Sequence, residues 1–222
     1  GRGRAWPRGR RGGRRRSRGA FCLADGSSSG AMFSLLYGLW QWLQQKEERR
    51  LLLLGVDNAG KTTTLEQLKT LFGSKGMDAD RIVPTIGLNI GRIKIDKVVA
   101  VIWDLGGQSS FRSVWHNYYN EVQGIIFVVD SADGARTEEA KTTLVELIGH
   151  EHLEGVPLLC MANKQDKPGA LDAKALSMLF DFEKLLGSRP HHVHPCCALK
   201  GEGLDAGVRW LMSEAAKVAP RA

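Results

Sequence analysis

Apolar positions in this chain follow two rhythms. Leu51-Leu52-Leu53-Leu54 is an unbroken apolar run and predicts a strand buried on both faces. Val98 to Trp103, Val156 to Met161 and His191 to Cys196 read as further strands, the first two of them buried. Between them the period changes: Leu65, Leu68, Leu71 and Phe72 mark a helix that follows the first strand. Upstream, Phe33, Leu36, Trp40 and Leu43 recur at helical spacing, joined by Met32, Leu35 and Leu39. Ser34, Gly38, Gln41 and Gln45 line a narrow opposite face. The pattern predicts an amphipathic helix of about three to four turns, with Arg49-Arg50 at its end. Such a helix either packs on its own domain or lies in a membrane interface, with Trp40 and Trp42 suited to headgroup level.

Composition adds boundaries. No apolar run approaches the ~18 residues of a spanning helix, and 43% hydrophobic content excludes a wholly disordered or collagen-like chain. The four cysteines, Cys22, Cys160, Cys196 and Cys197, have neither metal-ligand nor disulfide-scaffold spacing, which points to reduced thiols and a cytosolic domain. The net charge of +7 is a property of one end: residues 1–31 hold nine Arg and one acid, 9 − 1 = +8, leaving 7 − 8 = −1 for the rest. The basic charge thus belongs to the tail and says nothing about partners of the folded domain, for which no nucleic acid is expected. The Arg/Gly-rich segment 1–31 is expected to be disordered, because it lacks the apolar surface to offset its ordering entropy. Met32 is the first methionine, and in-frame translation of upstream sequence is the favoured reading of what precedes it. An organelle transit peptide and an RNA-binding arm are the alternatives; a secretory signal is weaker, since Gln44-Gln45-Lys46 stands where small cleavage-site residues belong. The expected division is 1–31, a helix over 32–48, and one domain over 49–222.

Four motifs carry the chemistry. Gly55-Val56-Asp57-Asn58-Ala59-Gly60-Lys61-Thr62 matches G-x-x-x-x-G-K-[ST] between a strand and a helix. The glycines let backbone N–H groups of Gly55 to Thr63 surround phosphates, the helix N-terminus favours negative charge, Lys61 reaches the β/γ-phosphates, and Thr62 ligates Mg²⁺. In Trp103-Asp104-Leu105-Gly106-Gly107-Gln108, Asp104 at a strand's carboxyl end holds Mg²⁺, Gly107 offers an N–H to a γ-phosphate, and Gln108 orients the attacking water. Asn163-Lys164-Gln165-Asp166 selects guanine: the Asp166 carboxylate accepts from the ring N–H and the exocyclic amine, which adenine does not offer. Cys197-Ala198 presents a backbone N–H to the base oxygen, with Cys197 a small packing residue. His191, His192 and His194 read as a solvated cluster.

These motifs, with Pro84-Thr85-Ile86-Gly87 and a helix before the first strand, resemble the ADP-ribosylation factor (Arf and Arf-like) family of small GTPases over residues 32–218. Two departures favour its Arf-related branch: Met32 is followed by Phe33, so the Gly for myristoylation is missing, and the stretch from Lys61 to Thr85 carries an insertion around Gly76-Met77-Asp78. The resemblance implies an α/β, doubly wound P-loop fold, a mostly parallel sheet with helices on both faces. It implies GTP/GDP and Mg²⁺ as ligands, with Thr85 as a further Mg²⁺ ligand, and a monomeric regulatory GTPase. Expected partners are an exchange factor, a GTPase-activating protein (GAP) and effectors reading Leu88, Trp103 and Tyr118, with Trp115 nearby.

Through helix 33–45 the resemblance implies a Golgi membrane receptor, an acetylated Met-Phe start, and a cytosolic and trans-Golgi location in vesicle traffic. It also implies that strands around Leu88 to Ile95 and Val98 to Trp103 change register between nucleotide states; a two-residue slip keeps the same side chains facing the core. Hydrolysis is expected to be slow, because no arginine is evident in cis; Arg81, four residues before Thr85, reads as solvated. Another membrane, an RNA role for the tail, and a GTP-binding scaffold that never hydrolyses are the competing readings.

Overall fold

The computed structural model describes residues 47–219. The expectations for segment 1–31 and for nearly all of helix 32–48 lie outside that range. Six strands form one sheet in the order β2-β3-β1-β4-β5-β6. They are β1 (Glu48–Leu54), β2 (Leu88–Ile95), β3 (Val98–Leu105), β4 (Gly124–Asp130), β5 (Leu158–Asn163) and β6 (His191–Pro195). Only β2 runs antiparallel, joined to β3 by a tight hairpin. Asp96 in that turn has φ +53°, a conformation that two-residue hairpins require and that Asp tolerates.

The buried strands are the apolar runs. Leu51 to Leu54, all of β4 and all of β5 are buried. Helices cover the faces: α1 (Lys61–Leu71) and α6 (Leu204–Ala215) lie side by side, α1 against β2 and β3, α6 against β4 and β5. The helix α3 (Gly134–Ile148) packs on β4 and α4 (Ala173–Phe180) on β6. The short helices α2 (Ser109–Arg112) and α5 (Phe182–Leu186) complete the set. The doubly wound fold expected from the motifs is the one observed.

Several boundaries differ from the sequence pattern. Arg49 and Arg50 do not end a helix; they lie in β1, paired with Ala100 and Val101 of β3. Arg50 reaches Glu121 at 2.6 Å and lies over the Trp103 ring at 5.9 Å, so a long stem spans apolar surface to a charged partner, and the buried Arg49 pairs with Glu47. Strand β3 continues through Leu105, placing Asp104 inside it between Leu53 and Asn89. Strand β5 is displaced two residues toward the C-terminus and ends on Asn163 itself, and β6 stops at Pro195.

One β2–β3 register is present, with Leu88 opposite Leu105 and Ile95 opposite Val98. Backbone pairing runs on past it, Gly106 N–H donating to Gly87 O at 3.0 Å. The carboxyl ends of β1 and β3 therefore lie side by side, with the segment before β2 folded against them.

Candidate functional site

The loop after β1 is shaped for an anion. Gly60 caps α1 with φ +99° and supplies no side chain, and the first turn contains no acid. The leading N–H groups of that helix thus face outward without a side-chain acceptor. Gly55 is required by space as well as by its φ of +142°, since a Cβ there would lie 2.3 Å from Val128 O. The loop walls a polar cavity of about 450 Å³ lined by Asp57, Asn58, Gly60, Lys61, Thr62 and Thr63, with Thr85, Gly107, Gln108 and Arg136 on the opposite side.

Lys61 is buried and donates to Val56 O at 2.9 Å. Burial pushes its ammonium down to about 8, against the pull of Asp104 and Asp57. An anion brought into the cavity would relieve that penalty. Gln108 is exposed at the cavity rim, at the start of α2.

Three oxygens converge across the cavity floor. Thr62 Oγ1 donates to Asp104 Oδ2 at 2.8 Å, Thr85 Oγ1 donates to the same oxygen at 3.2 Å, and the two hydroxyls lie 2.7 Å apart. Asp104 Oδ1 is buried with no hydrogen-bond partner. Burial raises the Asp104 pKa, opposed mainly by the Thr62 hydrogen bond and by Lys61. A buried carboxylate oxygen without a donor is costly, and an all-oxygen set with a single carboxylate suits a hard cation such as Mg²⁺ that keeps waters and phosphate ligands. The residues Thr62, Thr85 and Asp104 fit the metal assigned to them.

The Asn163 loop ties the site together. Asn163 Nδ2 donates to Ala59 O at 2.8 Å and its Oδ1 accepts from Ala198 N–H at 2.9 Å. One buried amide thereby joins the phosphate loop to the Cys197-Ala198 turn. The Ala198 N–H expected for a base oxygen is therefore engaged by Asn163. Lys164 donates to Asn58 O at 2.8 Å and to Asp130 at 2.5 Å. Asp166 is exposed and accepts from Cys197 Sγ at 3.2 Å, a bond that lowers its pKa. Cys197 is buried, as its packing role requires, with its pKa raised by burial.

Among the effector candidates, Leu88 is exposed, and Trp103 and Tyr118 are half-buried in an edge-to-face pair at 5.5 Å. Trp115 departs from the expectation: it is buried, its indole N–H donating to Gly106 O at 3.1 Å. Its size and its donor are both satisfied in the interior. Ile86 and Ile90, both exposed, extend the patch instead.

Sequence reasoning missed three charged residues. Arg136 lines the cavity and donates to Asp57 O at 2.8 Å and to Asp133 at 3.1 Å. Arg112 donates to Gly107 O at 3.0 Å. Glu66, buried, accepts from Met77 N–H at 2.8 Å and pairs with Lys69 at 2.6 Å, holding the insertion against α1. None belongs to a motif, and the Arg136 contact with Asp57 O joins residues far apart in the chain. Arg81 is solvated as expected.

Fold and site together define a P-loop nucleotide-binding protein. Comparison with known proteins narrows the class. Residues 35–215 match the ADP-ribosylation factor family. The chain is 42% identical over 184 residues to ADP-ribosylation factor-related protein 1 of Bos taurus, covering 82% of this chain and 92% of that one. It is 40% identical over 183 residues to ADP-ribosylation factor-like protein 3 of Saccharomyces cerevisiae, with the same coverages of 82% and 92%. Among solved structures, the Arl6 small GTPase of Trypanosoma brucei with bound GppNp superposes with a TM-score of 0.68 at 32% identity, covering 78% of this chain and 99% of that one. The chain belongs to the ADP-ribosylation factor family, small GTPases that bind GTP and GDP and act as regulatory switches.

Proposed function

We propose that this protein is a slow GTPase switch that couples guanine-nucleotide state to membrane association in trans-Golgi vesicle traffic. The observation that carries the switch is the convergence of Thr62 and Thr85 on Asp104, whose second oxygen is unpartnered. Thr62 belongs to the phosphate loop and Thr85 to the segment before β2, so a ligand held at Asp104 decides whether that segment folds over the site. Mg²⁺, when bound, would neutralise phosphate charge and accept ligands from Thr62, Thr85 and Asp104.

Within the site, Lys61 and the N–H groups of residues 55–63 bind the phosphates. Gly107 presents its N–H to the γ-phosphate, and Asp166 reads guanine. Gln108 orients water for in-line attack. Arg136 is committed to Asp57 O and Asp133, which leaves the transition-state charge to an arginine supplied by a GAP, worth ~10³–10⁵-fold. Leu88, Trp103 and Tyr118 form the effector surface. An exchange factor completes the cycle.

The membrane half of the proposal rests on the amphipathic pattern of helix 33–45 and on similarity to the Arf-related branch. A two-residue slip of β2 along β3 keeps the apolar face of β2 inward, so it would give the switch two arrangements between which nucleotide state selects. The whole reading is tested with the full chain and fluorescent GDP, GTP and ATP analogues. Micromolar or tighter binding, weakened by chelating Mg²⁺, and GTP-dependent pelleting with Golgi-composition vesicles are expected. Nucleotide binding without preference for guanine overturns the switch; pelleting indifferent to nucleotide overturns the coupling.

A further inference from the structure

Helix α3 touches both phosphate-facing loops through arginine. From α3, Arg136 donates to Asp57 O in the phosphate loop. From the segment after β3, Arg112 donates through Nε to Gly107 O at 3.0 Å, and its other nitrogens reach back to α3, to Thr143 Oγ1 at 3.1 Å and to Glu139. Arg112 is thus a three-point bridge between the Gly107 peptide and two successive turns of one helix. Thr143 is itself held, donating to Glu139 O at 2.8 Å.

The Gly107 peptide needs such support. It lies so close to the phosphate loop that a Cβ on Gly107 would stand 2.2 Å from Lys61 Nζ and 2.6 Å from Gly55 O. Neighbouring Gly106 is anchored by backbone pairing to Gly87 and by the Trp115 indole. Gly107 O has Arg112 as its donor, and a charge-assisted bond to a planar guanidinium fixes a peptide's orientation better than a neutral one.

We propose that Arg112, braced on α3 by Glu139 and Thr143, is a positioning residue for the Gly107 peptide and so selects for the nucleotide that carries a γ-phosphate. Arg136 is its state-independent counterpart. It steadies the phosphate loop, which meets the phosphates shared by GDP and GTP, whereas the Gly107 N–H meets only the last phosphate of GTP. This inference rests on the proposed nucleotide assignment. Its consequence is that α3, which contributes no motif residue, sets the GTP/GDP preference.

The test compares dissociation constants for fluorescent GDP and a non-hydrolysable GTP analogue in the full chain and its variants. Arg112→Ala is expected to weaken the GTP analogue about tenfold or more, with GDP changed less than about twofold. Arg112→Lys, which cannot span three acceptors, should recover only part of the loss. Glu139→Gln and Thr143→Val touch neither loop and should each give a smaller, equally GTP-selective defect. Arg136→Ala should weaken both nucleotides together.

Equal losses for GDP and GTP in Arg112→Ala, or no loss, overturn the inference. Wild-type ratios in both Glu139→Gln and Thr143→Val overturn the bracing by α3. If Arg112→Ala does not fold, the Lys, Gln and Val variants decide alone. A wild-type chain that binds neither nucleotide refutes the proposed function itself, a result distinct from binding whose GTP/GDP ratio is indifferent to Arg112.

Discussion

Replacing Asn163 by alanine removes one side chain and disconnects two loops. Asn163 is 2% exposed, and its amide is the side-chain partner of both Ala59 O and the Ala198 N–H. Alanine leaves a buried acceptor and a buried donor unsatisfied, each costing about 1–3 kcal/mol. With some repair by entering water, the expected destabilisation is about 2–4 kcal/mol. For a domain of this size that is a fall in Tm of roughly 5–15 °C. Urea unfolding followed by circular dichroism reads the energy, and fluorescent GDP titration reads the site. Affinity should drop at least about tenfold, because loss of one mutual anchor misplaces the Gly55 to Thr62 loop and the Cys197-Ala198 turn together. Asn163→Asp should be worse than alanine at neutral pH, since it turns a carboxylate oxygen toward the Ala59 carbonyl. A shift below about 0.5 kcal/mol in Asn163→Ala, within the range of ordinary surface substitutions, would show that the amide is not the staple the geometry describes.

Three further outcomes follow from the same site. Lys61 has its pKa lowered to about 8 by burial, and phosphate should restore it, so nucleotide binding takes up a proton and weakens as pH rises through 8; calorimetry at pH 8 in two buffers of different ionisation enthalpy would show no buffer dependence if this were wrong. For the ligand-free domain the sign reverses: the unfolded chain holds that proton up to 10.5, so this group makes stability rise between about 8 and 10.5. Asp104→Asn removes a buried carboxylate with an unpartnered oxygen, and should raise the Tm of the Mg²⁺-free protein while abolishing the effect of Mg²⁺ on GDP release; retained Mg²⁺ dependence would take Asp104 out of the metal site. Gln108→Leu should leave GTP affinity within about threefold and reduce GAP-stimulated turnover by about 10³-fold or more, and wild-type turnover in a phosphate-release assay would contradict its role.

Much of this protein is legible without coordinates because its chemistry is local. The phosphate loop needs eight consecutive residues between an apolar run and a helix, and Gly55 to Thr62 supplies them in place. Leu51 to Leu54 needs only its own composition to be read as buried. Asp104, Gln108, Asn163 and Asp166 each sit in short motifs whose spacing follows from the strand ends they occupy.

Tertiary structure alone places the partners that make those motifs a site. Arg112 and Arg136 lie in unremarkable helical sequence, and their targets, Gly107 O and Asp57 O, are backbone carbonyls that no sequence pattern marks. Trp115 and Trp103 are the same residue type twelve positions apart, yet one is sealed in the core on Gly106 O and the other half-open beside Tyr118. Arg50 reads as part of a charged helix end until Glu121 and the Trp103 ring, from other parts of the chain, make room for it in a strand. Local pattern fixes which face of an element is apolar and which loop approaches phosphate. That Arg136 meets Asp57 O, and that Arg112 is braced by Glu139 and Thr143, depends on elements distant in sequence, and those distances are set only when the sheet has closed its register and the helices have packed upon it.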